Sequence, residues 1–106
     1  MIWGSAGADI LAGQAGNDTL RGGGGADSFV IDTAPGRDLV ATFENDVDEL
    51  WLDEALWGGG LTVAEVLNAH AVAFPGGVVL SFLSGATAVT VHGITIADLA
   101  DDIVLF

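Results

Sequence analysis

Gly4-Ser-Ala-Gly-Ala-Asp9-Ile-Leu-Ala12, Gly13-Gln-Ala-Gly-Asn-Asp18-Thr-Leu-Arg21 and Gly22-Gly-Gly-Gly-Ala-Asp27-Ser-Phe-Val30 are one nine-residue phrase written three times. Glycine holds unit positions one and four, aspartate position six, and a large apolar residue position eight. A glycine-rich stretch is often a flexible linker, but phase-locked Asp9, Asp18, Asp27 and Leu11, Leu20, Phe29 argue against one. A phosphate-cradling loop needs a following lysine and a preceding long strand, and neither is here. Positions seven to nine are long enough only for a short strand. Turn plus strand therefore makes half of a flattened coil, and two units, eighteen residues, close one. Turns two units apart stack at about the ordinary strand spacing of 4.8 Å, which lays Asp27 over Asp9.

Stacked carboxylates repel, so the pattern asks for a cation. It resembles the nonapeptide signature G-G-x-G-x-D-x-U-x of calcium-binding parallel β-helices. Calcium takes six to eight oxygens at about 2.3–2.6 Å. A six-residue glycine-rich turn can aim carbonyls inward because glycine accepts positive φ, and the position-six aspartate adds a charged oxygen. A metal-free solenoid would leave those aspartates without neutralisation.

The bulk numbers agree. The chain of 106 residues has a net charge of −13, two basic residues (Arg21 and Arg37) and no lysine. Nucleic acid and anionic membrane surfaces are poor partners for it. Such a charge also repels itself in a compact state; three divalent ions would remove six negative charges and leave −7. Halophilic adaptation explains acidity but not a nine-residue phase. There is no cysteine, so disulfides and thiolate metal sites are excluded. No apolar run approaches the roughly 18 residues of a membrane span, and the N-terminus lacks the basic and apolar stretches of a cleaved signal peptide.

In phase, Ile2 falls on position eight and Trp3 on nine, so the chain is expected to begin inside a repeat, as a fragment or the end of a longer array. After Val30 the phase slips. Gly36-Arg-Asp38-Leu-Val40 resumes it two residues late, which lets Asp38 stack on Asp18. Leu39 to Phe43 reads as a strand, Glu44 to Glu49 as an acidic turn, and Leu50 to Leu52 as a strand. The acidic turn is either a further cation site or a solvated loop. Thr62 with Glu65 forms a capping box for a helix to about Asn68. Pro75-Gly76-Gly77 turns a hairpin between Ala71–Phe74 and Val78–Phe82; a turn at Ser84-Gly85 leads to a third strand at Ala88–Val91. These apolar strands should continue the roll's sheet. Ile94–Leu99 is a short helix or turn, and Ile103–Phe106 an apolar tail.

His70 and His92 lack a second histidine at ligand spacing and read as packing or surface residues. Trp3, Trp51 and Trp57 read as core or rim. No segment holds a nucleophile, base and acid together. Asp46 and Asp48 could imitate a glycosidase pair, but they sit in a repeat-like turn.

The units at 4–30, Gly36-Arg-Asp38-Leu-Val-Ala-Thr-Phe43 and the ending Asp101-Asp102-Ile-Val-Leu-Phe106 resemble the C-terminal region of RTX proteins, especially that of serralysin-type secreted proteases. The resemblance implies an all-β fold: a parallel β-roll (residues 1–43) holding Ca2+, continued by a C-terminal antiparallel sheet with one short helix (residues 44–106). It implies one ion between Ser5, Gly7, Asp9 and Gly22, Gly24, Asp27. A second would use Gln14, Gly16 and Asp18 with Asp38, and a third Gly23, Gly25 and Asp27 with Asp46 or Asp48. The family's aspartate before the phenylalanine at 42–43 is here Thr42, which puts a calcium contact there in doubt. The resemblance further implies a non-catalytic, secreted module, joined to an upstream domain and recognised by a type I exporter through an acidic-then-apolar C-terminal signal, Asp102–Phe106. A polysaccharide-binding or adhesin accessory role is the alternative.

Overall fold

The computed structural model describes residues 2–4, 7–12, 15–33, 36–41, 43, 47–82 and 86–106, and the side chains of all of these but Ile2 and Trp3. Two parallel sheets grow from alternate half-coils. The short strands β1 (Ile2–Trp3), β3 (Thr19–Arg21) and β5 (Gly36–Val40) build one sheet; β2 (Ile10–Ala12), β4 (Ser28–Ile31) and β6 (Glu49–Leu52) build the other. Each pairs in parallel with the strand one coil away: Ile2 with Leu20, Leu20 with Val40, Leu11 with Phe29, Phe29 with Leu50. This is a β-roll.

Period-two alternation sends the position-eight residues inward. Leu11, Phe29 and Leu50 on one sheet, and Leu20 and Val40 on the other, are buried in a single core. Phe43 closes it with its ring 6.0 Å from that of Phe29. The strand expected at Leu39–Phe43 begins earlier, at Gly36, because its pairing with β9 (Thr87–His92) starts at Gly36 opposite Thr87.

The C-terminal half continues both sheets. A 3-10 turn at Glu54–Leu56 is capped by Asp53, whose Oδ1 accepts from the Ala55 N–H at 2.9 Å. Helix α1 (Val63–His70) starts on the expected box: Thr62 Oγ1 accepts from the Glu65 N–H, and Glu65 Oε1 accepts from the Thr62 N–H. It runs two residues past the expected end and buries Val66 and Leu67. The hairpin is present as β7 (Ala71–Phe74) and β8 (Gly77–Phe82), antiparallel; the turn expected at Ser84-Gly85 lies outside the described residues. β9 lies between β8, antiparallel, and β5, parallel, which fuses the hairpin to the roll in the order β1-β3-β5-β9-β8-β7. A second helix, α2 (Ile96–Ala100), stands where a helix or turn was expected, so the segment holds two short α-helices rather than one. The tail is β10 (Ile103–Leu105), the fourth strand of the other sheet, parallel to β6.

Candidate metal centre

The coils bring the aspartates together in two columns, one on each rim. On the rim ahead of β2, β4 and β6, the Asp9 N–H donates to Asp27 Oδ1 at 3.0 Å, and the Asp27 N–H donates to Asp48 Oδ1 at 2.9 Å. On the opposite rim the Asp18 N–H donates to Asp38 Oδ1 at 3.0 Å. The partners are 18, 21 and 20 residues apart respectively. The chain direction is held as well. The carbonyls of Asp9, Asp18 and Asp27 accept from the N–H groups of Ser28, Leu39 and Glu49, each at 2.8 Å. The slipped fourth turn is keyed once more by the Arg37 N–H, which donates to Asn17 Oδ1 at 2.8 Å.

Asp27, Asp38 and Asp48 each spend one carboxylate oxygen on a backbone N–H. Oδ2 of Asp27 and Oδ2 of Asp18 are buried with no hydrogen-bond partner. Asp27 is only 1% exposed. Burial pushes its pKa up; the Asp9 N–H pulls the other way, and the neighbouring charges of Asp48 and Asp9 add to the rise. Asp38, 7% exposed, is raised in the same manner, chiefly by burial, against the Asp18 N–H and with the charges of Asp18 and Asp32. Buried anions that repel one another and keep an unused oxygen are destabilising unless a cation or a proton joins them.

The glycines explain themselves in this geometry. A Cβ on Gly22 would overlap the Asp27 carboxylate, standing 2.7 Å from its Cγ; one on Gly4 would stand 2.7 Å from Asp9 Oδ2. The position-six carboxylate therefore leans back across its own turn onto position one. Positions two and four are left-handed in the third unit (Gly23 φ 79°, Gly25 φ 83°), as is position four in the second (Gly16 φ 101°), a conformation that glycine alone adopts freely.

Among the described residues no three His, Cys, Asp or Glu side chains converge. The side-chain share of each site is a pair, and the rest of six to eight oxygens would be carbonyls. Of the expected ligands, Gly7, Asp9, Gly16, Asp18, Gly22, Gly23, Gly24, Gly25 and Asp27 lie in the stacked turns, and Asp38 lies within β5. Ser5, Gln14, Asp46 and Thr42 lie outside the described residues. Asp48 stacks on Asp27, a position the sequence reading left open between Asp46 and Asp48. The signal was available: Asp48-Glu49-Leu50 repeats the Asp-x-apolar step of Asp27-Ser28-Phe29.

The other expectations fall away from the rims. His70 Nδ1 lies 2.9 Å from the Ser81 carbonyl and its ring 4.7 Å from Phe82. His92 is exposed, its ring edge-on to Phe74 at 5.9 Å. Trp51 and Trp57 are half-buried.

Residues 3–40 match the family model of the RTX calcium-binding nonapeptide repeat, in four copies. This segment carries RTX repeats. No curated protein sequence matches the chain. Solved structures that share its fold include an extracellular lipase and a C-terminal domain. Extracellular lipase LipA from Serratia marcescens superposes with a TM-score of 0.69 at 22% identity, over 97% of this chain and 20% of the lipase. The C-terminal domain (RV) of MpAFP gives 0.53 at 21%, over 90% of this chain and 77% of that domain. This chain thus spans about a fifth of the lipase's length.

Proposed function

We propose that this chain is a calcium-binding RTX module that completes its fold outside the cell, as a non-catalytic part of a larger exported protein. The observation that carries the reading is the pair of buried, partnerless oxygens, Asp27 Oδ2 and Asp18 Oδ2, each in a column of stacked aspartates within the RTX repeats. Asp9 and Asp27 would hold one ion with carbonyls of Ser5, Gly7, Gly22 and Gly24; Asp18 and Asp38 would hold another with those of Gln14 and Gly16. Bound calcium supplies the positive charge that the paired carboxylates lack.

The chain's own residues do the rest. Oδ1 of Asp27, Asp38 and Asp48 fixes coil against coil. The glycines at position one make room for the carboxylates. Residues 44–106 close the wide end of the roll. Extracellular calcium near millimolar meets dissociation constants of roughly 10⁻⁴–10⁻³ M, typical of extracellular modules, and a tenfold excess adds about 1.4 kcal/mol per site. Several such sites decide folding in a domain of this size. At cytosolic calcium the same carboxylates repel, the roll stays open, and an open chain suits a type I exporter reading Asp102–Phe106. The RTX repeats at residues 3–40 and the fold shared with an extracellular lipase support a secreted parent.

Far-UV circular dichroism with chelator and then with calcium tests the gate. We expect a disordered spectrum turning to β structure on titration; a spectrum indifferent to calcium removes it. Deleting Asp102–Phe106 from the full reading frame, in cells carrying a type I exporter, should abolish export, and normal export without those residues refutes the signal.

A further inference from the structure

The outer face of the β2-β4-β6-β10 sheet takes no part in the aspartate columns. Ala12, Val30, Trp51 and Val104 lie side by side in register across its four strands and point outward, alternating with the buried Leu11, Phe29, Leu50 and Ile103. Ile10, 79% exposed, flanks that row. Glu49 is the one ionisable side chain among the outward residues of these strands, in a chain with 15 acids. A groove of about 200 Å³ crosses the face, lined by Ile10, Ser28, Val30, Trp51 and Phe106. Its walls are held in place. The Trp51 indole N–H donates to Glu49 Oε1 at 3.3 Å. The Phe106 ring lies 6.1 Å from the indole. The Phe106 N–H donates to the Leu52 carbonyl at 3.1 Å, and its own carbonyl accepts from the Glu54 N–H at 2.7 Å.

The lining decides what fits. The groove exposes no polar surface, so a sugar or a peptide backbone would leave its polar groups there without partners. A second copy needs about 800 Å² per partner, whereas four strands of this length cover roughly 250 Å² at ordinary strand spacing and rise. The net charge of −13 keeps anionic head groups at a distance. A hydrocarbon chain on an uncharged molecule meets none of these objections. At ~30 Å³ for a group the size of a water molecule, the groove takes roughly seven methylenes. We propose that it binds the alkyl chain of an uncharged amphiphile, with Trp51 and Phe106 on one side, Ile10 on the other and Val30 between them. The site rests on the fold alone and not on the calcium reading.

Nuclear magnetic resonance of the folded chain in calcium, titrated with n-octyl β-glucoside below its micelle concentration, tests this. The Trp51 indole N–H signal, assigned from Trp51→Phe, should shift and saturate while that of Trp57 stays still. Methyl β-glucoside, the same head group without the chain, should shift neither. Ile10→Ser alters a largely exposed side chain, so it should fold as before and bind octyl glucoside about tenfold more weakly. Val72→Ser, at an exposed position of the other sheet, should bind like the wild type. A methyl glucoside shift equal to that of octyl glucoside, a shift that never saturates, wild-type affinity in Ile10→Ser, or equal losses in Ile10→Ser and Val72→Ser overturns the proposal. So does a Trp51 signal that moves with protein concentration alone, which means that a second copy fills the face.

Discussion

Gly22→Ala isolates the close approach on which the aspartate column depends. The backbone at Gly22 is not left-handed, so alanine meets no conformational strain there. Its Cβ does meet the Asp27 carboxylate, at 2.7 Å from Cγ and 2.9 Å from Cβ. Asp27 is 1% exposed and bonded to the Asp9 N–H, so it cannot swing aside without giving up that bond. Overpacking of this kind costs about 1–3 kcal/mol, and the lost hydrogen bond about 1 kcal/mol more. The stiffer unfolded chain returns about 0.4–1 kcal/mol. The net is a loss of about 1–3.5 kcal/mol, or at least about 4 °C in melting temperature for a domain near 100 residues. Gly7→Ala is the matched control, because a Cβ there meets nothing within 4 Å. It should leave stability within about 1 kcal/mol of the wild type. Thermal denaturation of both variants in saturating calcium, followed at the β-sheet band, reads the difference. Melting points within about 3 °C of each other would refute the argument that the carboxylate occupies the glycine's side-chain space.

In chelator, pH should act against the usual direction for carboxylates. Asp27 and Asp38 have raised folded pKa values, so the folded state holds their protons more tightly than the unfolded chain. Their contribution is present below the ordinary carboxylate value and is lost as pH rises through the raised ones. Mild acid should therefore increase the folded fraction of the calcium-free chain, while in calcium the same acid should weaken binding; an acid-indifferent apo spectrum counts against it. Phe29→Ala should cost about 3–5 kcal/mol, since the ring is fully buried beneath both sheets and against Phe43, and chemical denaturation in calcium measures it. Thr62→Ala removes the oxygen that accepts from the Glu65 N–H, and should cost about 1 kcal/mol in the same assay without changing calcium stoichiometry.

Much of this molecule can be read from spacing alone. Asp9, Asp18 and Asp27 at one phase, with Leu11, Leu20 and Phe29 two residues on, dictate a coil whose turns stack. The slip at Gly36 still returns Asp38 to Asp18. Local chemistry was equally legible where few residues decide it, as in the Thr62–Glu65 box and the turn at Pro75-Gly76-Gly77. The sequence was silent where pairing joins distant segments. The apolar strands were expected to continue the roll's sheet, but nothing in Thr87–His92 says that it is the one beside Gly36–Val40, or that it runs parallel there. That choice follows from the whole core, where Val89 and Val91 meet the same interior as Val40. The strand boundary at β5 was misplaced for the same reason. Asp48 stayed ambiguous because its turn lacks the glycines that announced the others, although its Asp-x-apolar step was in plain view.

The column spacings of 18, 20 and 21 residues mean that the windings widen as they rise. A spiral of constant girth has no preferred place to stop, and either end accepts another winding of the same size. This one tapers. Only the narrow side matches an eighteen-residue winding, while the broad side turns to antiparallel pairing at β8 and β9. The two sides of the module therefore differ, and its polarity is written in perimeter rather than in any single residue.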